Sequence, residues 1–215
     1  MALRMNHLAV FDLDGTLLDT APDILAAANR LLGAHGLHPL TLAEIIPMIG
    51  DGAKVLCERA FAARGGPVPD GAVQAYTDDP ALEAGPETRL FPGVAALLEE
   101  LLADGWRLAV CTNKPVVPAR AVLAHFGIAD KFRAIGGGDS FPTRKPDPAH
   151  LLATMGLAGG GRAVMIGDHA NDMLAARGAG IPAIFAGWGY GAAPMALDNP
   201  VAADVAAVKP LLYST

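Results

Sequence analysis

The sequence predicts an α/β protein: a parallel sheet with helices on both faces and a helical insertion after its first strand. Three observations point there. Short unbroken apolar runs recur at residues 8–11, 108–111, 163–166 and 183–186, as strands buried on both faces require. Stretches with apolar residues at helical spacing separate the later runs, so each strand can return parallel to the one before. Between residue 17 and residue 88, by contrast, only helix signals occur.

The first strand runs straight into Asp12, Leu13 and Asp14. Thr20-Ala21-Pro22-Asp23 then reads as a capping box with Pro at the first helical position. Thr41-Leu42-Ala43-Glu44 repeats the capping pattern, and residues 52–64 read as another helix, stopped by Gly65-Gly66-Pro67. Hinges are expected near residues 17–20 and 87–91, where the chain leaves and rejoins the sheet layer. Val94, Leu97, Leu98, Leu101 and Leu102 stand at helical spacing, and Gly105 ends that helix. Beyond strand 108–111, helices are expected over 116–126, 149–155 and 170–179, with weaker strand signals at 134–135 and 201–203. The chain therefore divides into a core of residues 1–17 and 89–215 and an insertion of residues 18–88.

The composition narrows the function. With 215 residues, 52% of them hydrophobic, the chain can bury a large core. The net charge is −6 at pH 7 and Lys and Arg form no block, which argues against a nucleic-acid partner. No apolar run approaches the roughly 18 residues of a membrane span. Residues 1–7 lack the long apolar stretch of a secretion signal, so a cytoplasmic location is expected. Cys57 and Cys111 read as reduced buried thiols rather than a disulfide. Serine occurs only at positions 140 and 214, and Ser140 has no nucleophile-elbow context. No G-x-x-x-x-G-K-[ST] loop occurs, and the Gly187-x-Gly189-x-Gly191 run, which lacks the full dinucleotide fingerprint, reads as a turn.

Open parallel sheets bind ligands beyond the carboxyl ends of their strands. Four such ends carry polar groups here: Asp12 and Asp14; Thr112, Asn113 and Lys114; Arg144 and Lys145 beyond a triple glycine; and Asp168 with Asp172 four residues on. Each group has an ordinary structural role as well, a helix cap for the acids and Thr112, a solvated loop for Lys145. His169, between the acids, reads as an exposed bystander. Taken together, the types fit one task. Asp12, Asp14 and Asp168 offer oxygen ligands to a hard cation such as Mg2+, which would offset the repulsion between neighbouring carboxylates. Thr112, backbone amides and Lys145 can donate to phosphoryl oxygens. One aspartate can then attack phosphorus, and another can trade protons with the leaving group and with water.

The stretches "DLDGT", "TNK", "RKPDP" and "GDHAND" resemble, in order, the four motifs of the haloacid dehalogenase superfamily. The resemblance covers nearly the whole chain and implies a Rossmann-like core with an α-helical cap, here residues 18–88. It implies that Asp12 is the nucleophile and Asp14 the general acid and base. It further implies that Thr112, Asn113 and Lys145 bind phosphate. Asp12, Asp168 and the backbone carbonyl of Asp14 would hold Mg2+, with Asp172 supporting the metal-bound water or Lys145. Within the superfamily, "FDLDGTLLDTAPDI", "IGDGAKVLCERAF", "TRLFPGV" and "GWGYG" resemble the phosphoglycolate phosphatases. Those enzymes often carry an arginine shortly before the first cap glycine; here the segment reads "EIIPMIGDG". Lys54, just past Gly52, is the nearest candidate to read a substrate carboxylate in its place.

The expected activity is thus Mg2+-dependent hydrolysis of a small phosphorylated metabolite, with 2-phosphoglycolate the best candidate, by a monomer or homodimer. The alternatives are a sugar-phosphate phosphatase, a phosphomutase of the β-phosphoglucomutase kind, and a non-enzymatic receiver-like signalling or binding module. Receiver modules usually lack both the large insertion and a second acid two residues after the first.

Overall fold

The computed structural model describes residues 6–214. Residues 1–5 and 215, the outer limits of the expected core, lie outside the described residues. In chain order, the first strand β1 (His7–Phe11) is followed by a two-residue strand β2 (Leu18–Asp19). Five helices then follow: α1 (Ala21–Ala34), α2 (Leu42–Ile45), α3 (Ala53–Ala62), α4 (Ala72–Thr77) and α5 (Ala81–Ala84). Strand β3 (Arg89–Leu90) leads to α6 (Val94–Ala103), β4 (Arg107–Cys111), α7 (Val116–His125) and β5 (Ala134–Gly136). The chain closes with α8 (Pro148–Leu157), β6 (Arg162–Gly167), α9 (Ala170–Ala179), β7 (Ala183–Ala186), β8 (Val201–Ala202) and α10 (Val208–Ser214).

Six strands form one parallel sheet in the order β5-β4-β1-β6-β7-β8. Counted in chain order, that is the Rossmann arrangement 3-2-1-4-5-6, with β1 at the centre. Successive residues of the central strands face opposite sides. Ala9, Phe11, Leu108, Val110, Val164 and Ile166 pack on the side of α6, α7 and α10. Leu8, Val10, Ala109, Cys111, Ala163 and Met165 pack on the side of α8 and α9. Both faces are covered, which is why these strands read as continuous apolar runs.

The inserted helices build an apolar cluster of their own, with Ile24, Leu31, Leu56, Phe61, Tyr76 and Leu82 among its buried members. Contrary to the expectation of helices alone between residues 17 and 88, Leu18–Asp19 pairs antiparallel with Arg89–Leu90. This ribbon joins the two places where the chain leaves and rejoins the sheet layer. Two residues per strand leave no periodicity to detect in sequence.

The Thr41 capping box forms as expected. The one expected at Thr20 does not: Thr20 carries no side-chain cap, because its hydroxyl donates to Asp14 Oδ1 at 2.8 Å. Asp23 is likewise diverted, accepting from Thr88 Oγ1 at 2.7 Å. Cys57 and Cys111 are both free and buried, in different clusters; burial pushes their thiols up to about 11 and about 12. Among the described residues, no helix is long and apolar enough to cross a membrane.

Candidate active site

The carboxyl ends of β1, β4 and β6 lie side by side, so the residues that follow them converge. Asp12 continues β1 by donating its N–H to Ile166 O on β6, and its carboxylate is almost fully buried. Oδ1 accepts from Leu13 N–H at 2.7 Å and lies 2.9 Å from Lys145 Nζ. Asp14, two residues on, is turned elsewhere. Its Oδ1 takes the Thr20 hydroxyl and sits 3.3 Å from Lys114 Nζ. The pair therefore avoids the repulsion that its spacing threatens by facing two different cations.

Asp168 follows β6. Thr16 Oγ1 donates to its Oδ1 at 2.9 Å and Tyr190 N–H to its Oδ2 at 2.8 Å. Burial and the nearby Asp12 push its carboxyl up to about 7. Asp172 is fully buried; Oδ1 lies 2.5 Å from Lys145 Nζ and Oδ2 accepts from His169 N–H at 3.0 Å. Burial works against the Lys145 charge, but Asp12 and Asp172 outweigh it and hold the lysine protonated. One carboxylate oxygen each from Asp12, Asp168 and Asp172 lies within 4.8 Å of the others. Lys145 is the cation that contacts this triplet, so three buried acids share about one positive charge. A divalent cation would offset the remainder.

That triplet differs from the expected set of Asp12, Asp14 and Asp168. The Asp14 carboxylate, engaged by Thr20 and Lys114, is not part of the triplet. Asp172 is closer, but its oxygens are taken up by Lys145 and the start of α9, so it fits a supporting position.

Thr112 and Asn113 follow β4 as expected, both buried. The Asn113 side chain cannot serve a ligand as a donor. Its Nδ2 hydrogens go to Gly50 O at 2.8 Å and Lys145 O at 2.9 Å. Among the described residues, the backbone N–H groups of Asp14 and Asn113 make no hydrogen bond to the protein.

Asp12 and Asp14 separate two spaces. On one side, a cavity of about 50 Å³ runs from Asp14, Thr112 and Lys114 to Ile49, Leu56 and Tyr76 on the inserted helices. On the other, a smaller cleft is lined by Asp168, His169 and Tyr190 as well as both aspartates. Lys54 is in neither. Its side chain is 68% exposed and faces Glu58, one turn along α3, at 3.9 Å. The helical turn from Gly52 to Lys54 rotates it away from the cavity, where Lys114 stands instead.

Sequence reasoning passed over several residues that shape the site. Lys114 stands among the strand-end polar groups but was given no role from sequence; it carries the only ammonium lining the cavity among the described residues. His169 is no bystander: Nδ1 accepts from Asn171 N–H at 3.2 Å, so it caps α9 in a box with Asp172. Tyr190 binds Asp168 by its N–H, while its hydroxyl donates to Asp19 Oδ1 at 2.7 Å and accepts from Thr20 and Ala21 N–H. It thus ties the acid cluster to the hinge. Gly189 and Gly191 are more than a turn; a Cβ on either would overlap Asp168 or Gly15. Except for the local cap at His169, these contacts cross too much intervening chain for a short-range motif to report.

A profile of haloacid dehalogenase-like hydrolases matches residues 9–186. The chain belongs to this family. Among relatives of the hydrolase, a phosphoglycolate phosphatase from Agrobacterium fabrum is 40% identical over 97% of this chain and 93% of that protein. One from Cereibacter sphaeroides is 46% identical over 86% and 87%. The crystal structure of a predicted phosphoglycolate phosphatase from Haemophilus somnus superimposes on the hydrolase with a TM-score of 0.83. It is 29% identical, with 97% of each chain covered. CbbY from Rhodobacter sphaeroides, in complex with phosphate, gives a TM-score of 0.77 at 26% identity, covering 94% and 98%.

Proposed function

We propose that this hydrolase is a Mg2+-dependent phosphatase that cleaves a small phosphomonoester, 2-phosphoglycolate, through a phosphoryl group carried on Asp12. The carrying observation is the division of labour between the two aspartates. Asp12 is buried with its Oδ1 2.9 Å from Lys145 Nζ, a contact that orients the carboxylate for attack on phosphorus. Asp14 faces the cavity where a leaving oxygen would depart, so it can protonate that oxygen and then take a proton from water. The hydroxyl of Thr112, the ammonium of Lys145 and the unpaired N–H groups of Asp14 and Asn113 supply donors to phosphoryl oxygens. Asp12, Asp168 and the Asp14 carbonyl would hold Mg2+, with Asp172 fixing Lys145. When bound, the ion neutralises the acid cluster and the phosphoryl charge.

Residues 18–88 act in this reading as a cap that closes over the leaving group. Asn113 and Asn171 on the core reach Gly50 O, and Asn171 Nδ2 also donates to Asp51 Oδ1 at 2.7 Å. These bonds keep the Gly50–Gly52 turn over the cavity. The cavity holds only a few water-sized sites, which favours a short leaving group such as glycolate over a hexose. Lys114 replaces Lys54 as the cation for its carboxylate. The names of the relatives support the same substrate.

The test is phosphate release from a panel of phosphomonoesters with Mg2+ present. The expected result is a kcat/KM for 2-phosphoglycolate at least about tenfold above those for hexose phosphates, a difference of about 1.4 kcal/mol in transition-state binding. Equal rates across the panel would contradict the substrate assignment, and no turnover of any phosphomonoester would contradict the reaction.

A further inference from the structure

The inserted helices contribute one polar side chain to the cavity that has no structural employment. Tyr76, in α4, is 4% exposed and packs within the insertion's apolar cluster. Its hydroxyl makes no hydrogen bond among the described residues, although the side chain lines the cavity shared with Asp14 and Lys114. The ring is buried while the hydroxyl oxygen opens on the cavity, where only water or a ligand can pair it. Of the insertion's other side chains there, Ile24, Ile49, Leu56 and Leu82 are apolar, and Thr77 donates its hydroxyl to Gln74 O at 2.9 Å. A Phe would pack as well at this position without leaving an unused hydroxyl.

We propose that Tyr76 is a specificity-determining residue, donating its hydroxyl to an oxygen of the substrate's leaving group. The inference rests on the phosphatase reading above and adds to it the contact from the insertion that recognises the non-reacting end of the substrate. The chemistry is that of an oxyanion held between a phenol and an ammonium. Lys114 lines the cavity from the core and Tyr76 from the inserted helices. Burial and the nearby Asp14 carboxylate raise the phenol well above its ordinary range, so it is a donor at any working pH. A leaving group with a methyl in place of the carboxylate would leave the hydroxyl unpaired and would gain nothing from it. Sites built to hydrogen-bond a polar group discriminate strongly against analogues that lack it.

The test compares the wild type with Tyr76→Phe on two substrates, 2-phosphoglycolate and ethyl phosphate, which differ by carboxylate against methyl. The ratio of their kcat/KM values should fall about 10- to 100-fold in the variant. The change should lie chiefly in KM, because the contact is remote from the reacting atoms and is made equally in ground and transition states. In the absence of substrate the variant's Tm should be unchanged or higher, since no hydrogen bond is lost. A lower Tm with an unchanged specificity ratio would mean a packing role and overturn the assignment, as would an unchanged ratio with an unchanged Tm. A wild type that fails to prefer 2-phosphoglycolate over ethyl phosphate would overturn the substrate reading itself. That outcome is visible before any variant is compared.

Discussion

Asp14 differs from Asp12 by its neighbours rather than its chemistry, and the difference makes a prediction. Thr20 and Lys114 aim the Asp14 carboxylate at the cavity, where it can serve both proton transfers. Asp14→Asn should slow hydrolysis of alkyl phosphates by about 100-fold or more, the usual loss on removing a general acid. An aryl phosphate, whose leaving group needs little protonation, should lose less in its first step. Phosphorylated protein should then accumulate. Equal losses for both substrate types with no accumulation would contradict the role. At this scale the sequence was readable where a residue directly ends a strand. Asp12, Asp14, Thr112 and Asp168 were found by that rule, and the structure brings them together. It was unreadable where a residue's orientation depends on helical rotation, as at Lys54, on partners far along the chain, as at Tyr190, or on which wall of a cavity a helix presents, as at Tyr76. The Asn113 side chain was located correctly, but its donors were already taken by Gly50 and Lys145.

The elements follow their sequence signals most faithfully where periodicity is long. Strand β7 and helix α9 have the expected limits, and β1, β4 and β6 are each extended by one or two residues. The β2–β3 ribbon was hidden because two residues carry no period, and the Thr20 cap failed because a tertiary partner, Asp14, competes for the hydroxyl. The start of α8 offers a test of the loop that holds Lys145. His150 is fully buried and its Nδ1 accepts from Lys145 N–H at 3.2 Å. Burial, followed by the Lys145 charge, pushes its imidazole down to about 4. Between about pH 6.5 and pH 4 the unfolded chain therefore binds a proton that the folded one refuses, so stability falls as pH falls through that window. The contribution at stake is on the order of 2–3 kcal/mol. His150→Asn retains an acceptor for the Lys145 N–H without the titration. Denaturant unfolding at pH 7 and pH 4.5 should show a smaller loss in the variant than in the wild type; equal losses would place the acid lability elsewhere.

Across the whole molecule, the sheet order brings β4, β1 and β6 together, and this is what assembles the acid cluster from three distant stretches of chain. A parallel sheet followed from alternating apolar runs and helices, and the insertion from a long stretch without strand signals, whereas a Rossmann-like arrangement was implied only by the family resemblance. What the sequence could not convey was how the insertion sits on the core, since that depends on single contacts such as Asn113 to Gly50. The clustered charge of Asp12, Asp168 and Asp172 predicts a response to Mg2+ apart from catalysis. A cation that binds only the folded protein raises its stability by mass action. Tm should rise with Mg2+, and the rise should be largely lost in Asp168→Asn, along with turnover. Full activity in excess chelator, or a Tm indifferent to Mg2+, would remove the ion from the account.

The central claim is that Asp12 carries the phosphoryl group. The most direct measurement is a rapid acid quench of the Asp14→Asn variant during turnover of an aryl phosphate, followed by proteolysis and mass spectrometry. The account predicts one phosphoryl group on the peptide containing Asp12, and none when Asp12→Asn is added to the same background. Phosphate found on any other residue, or full turnover by a protein lacking the Asp12 carboxylate, would contradict it.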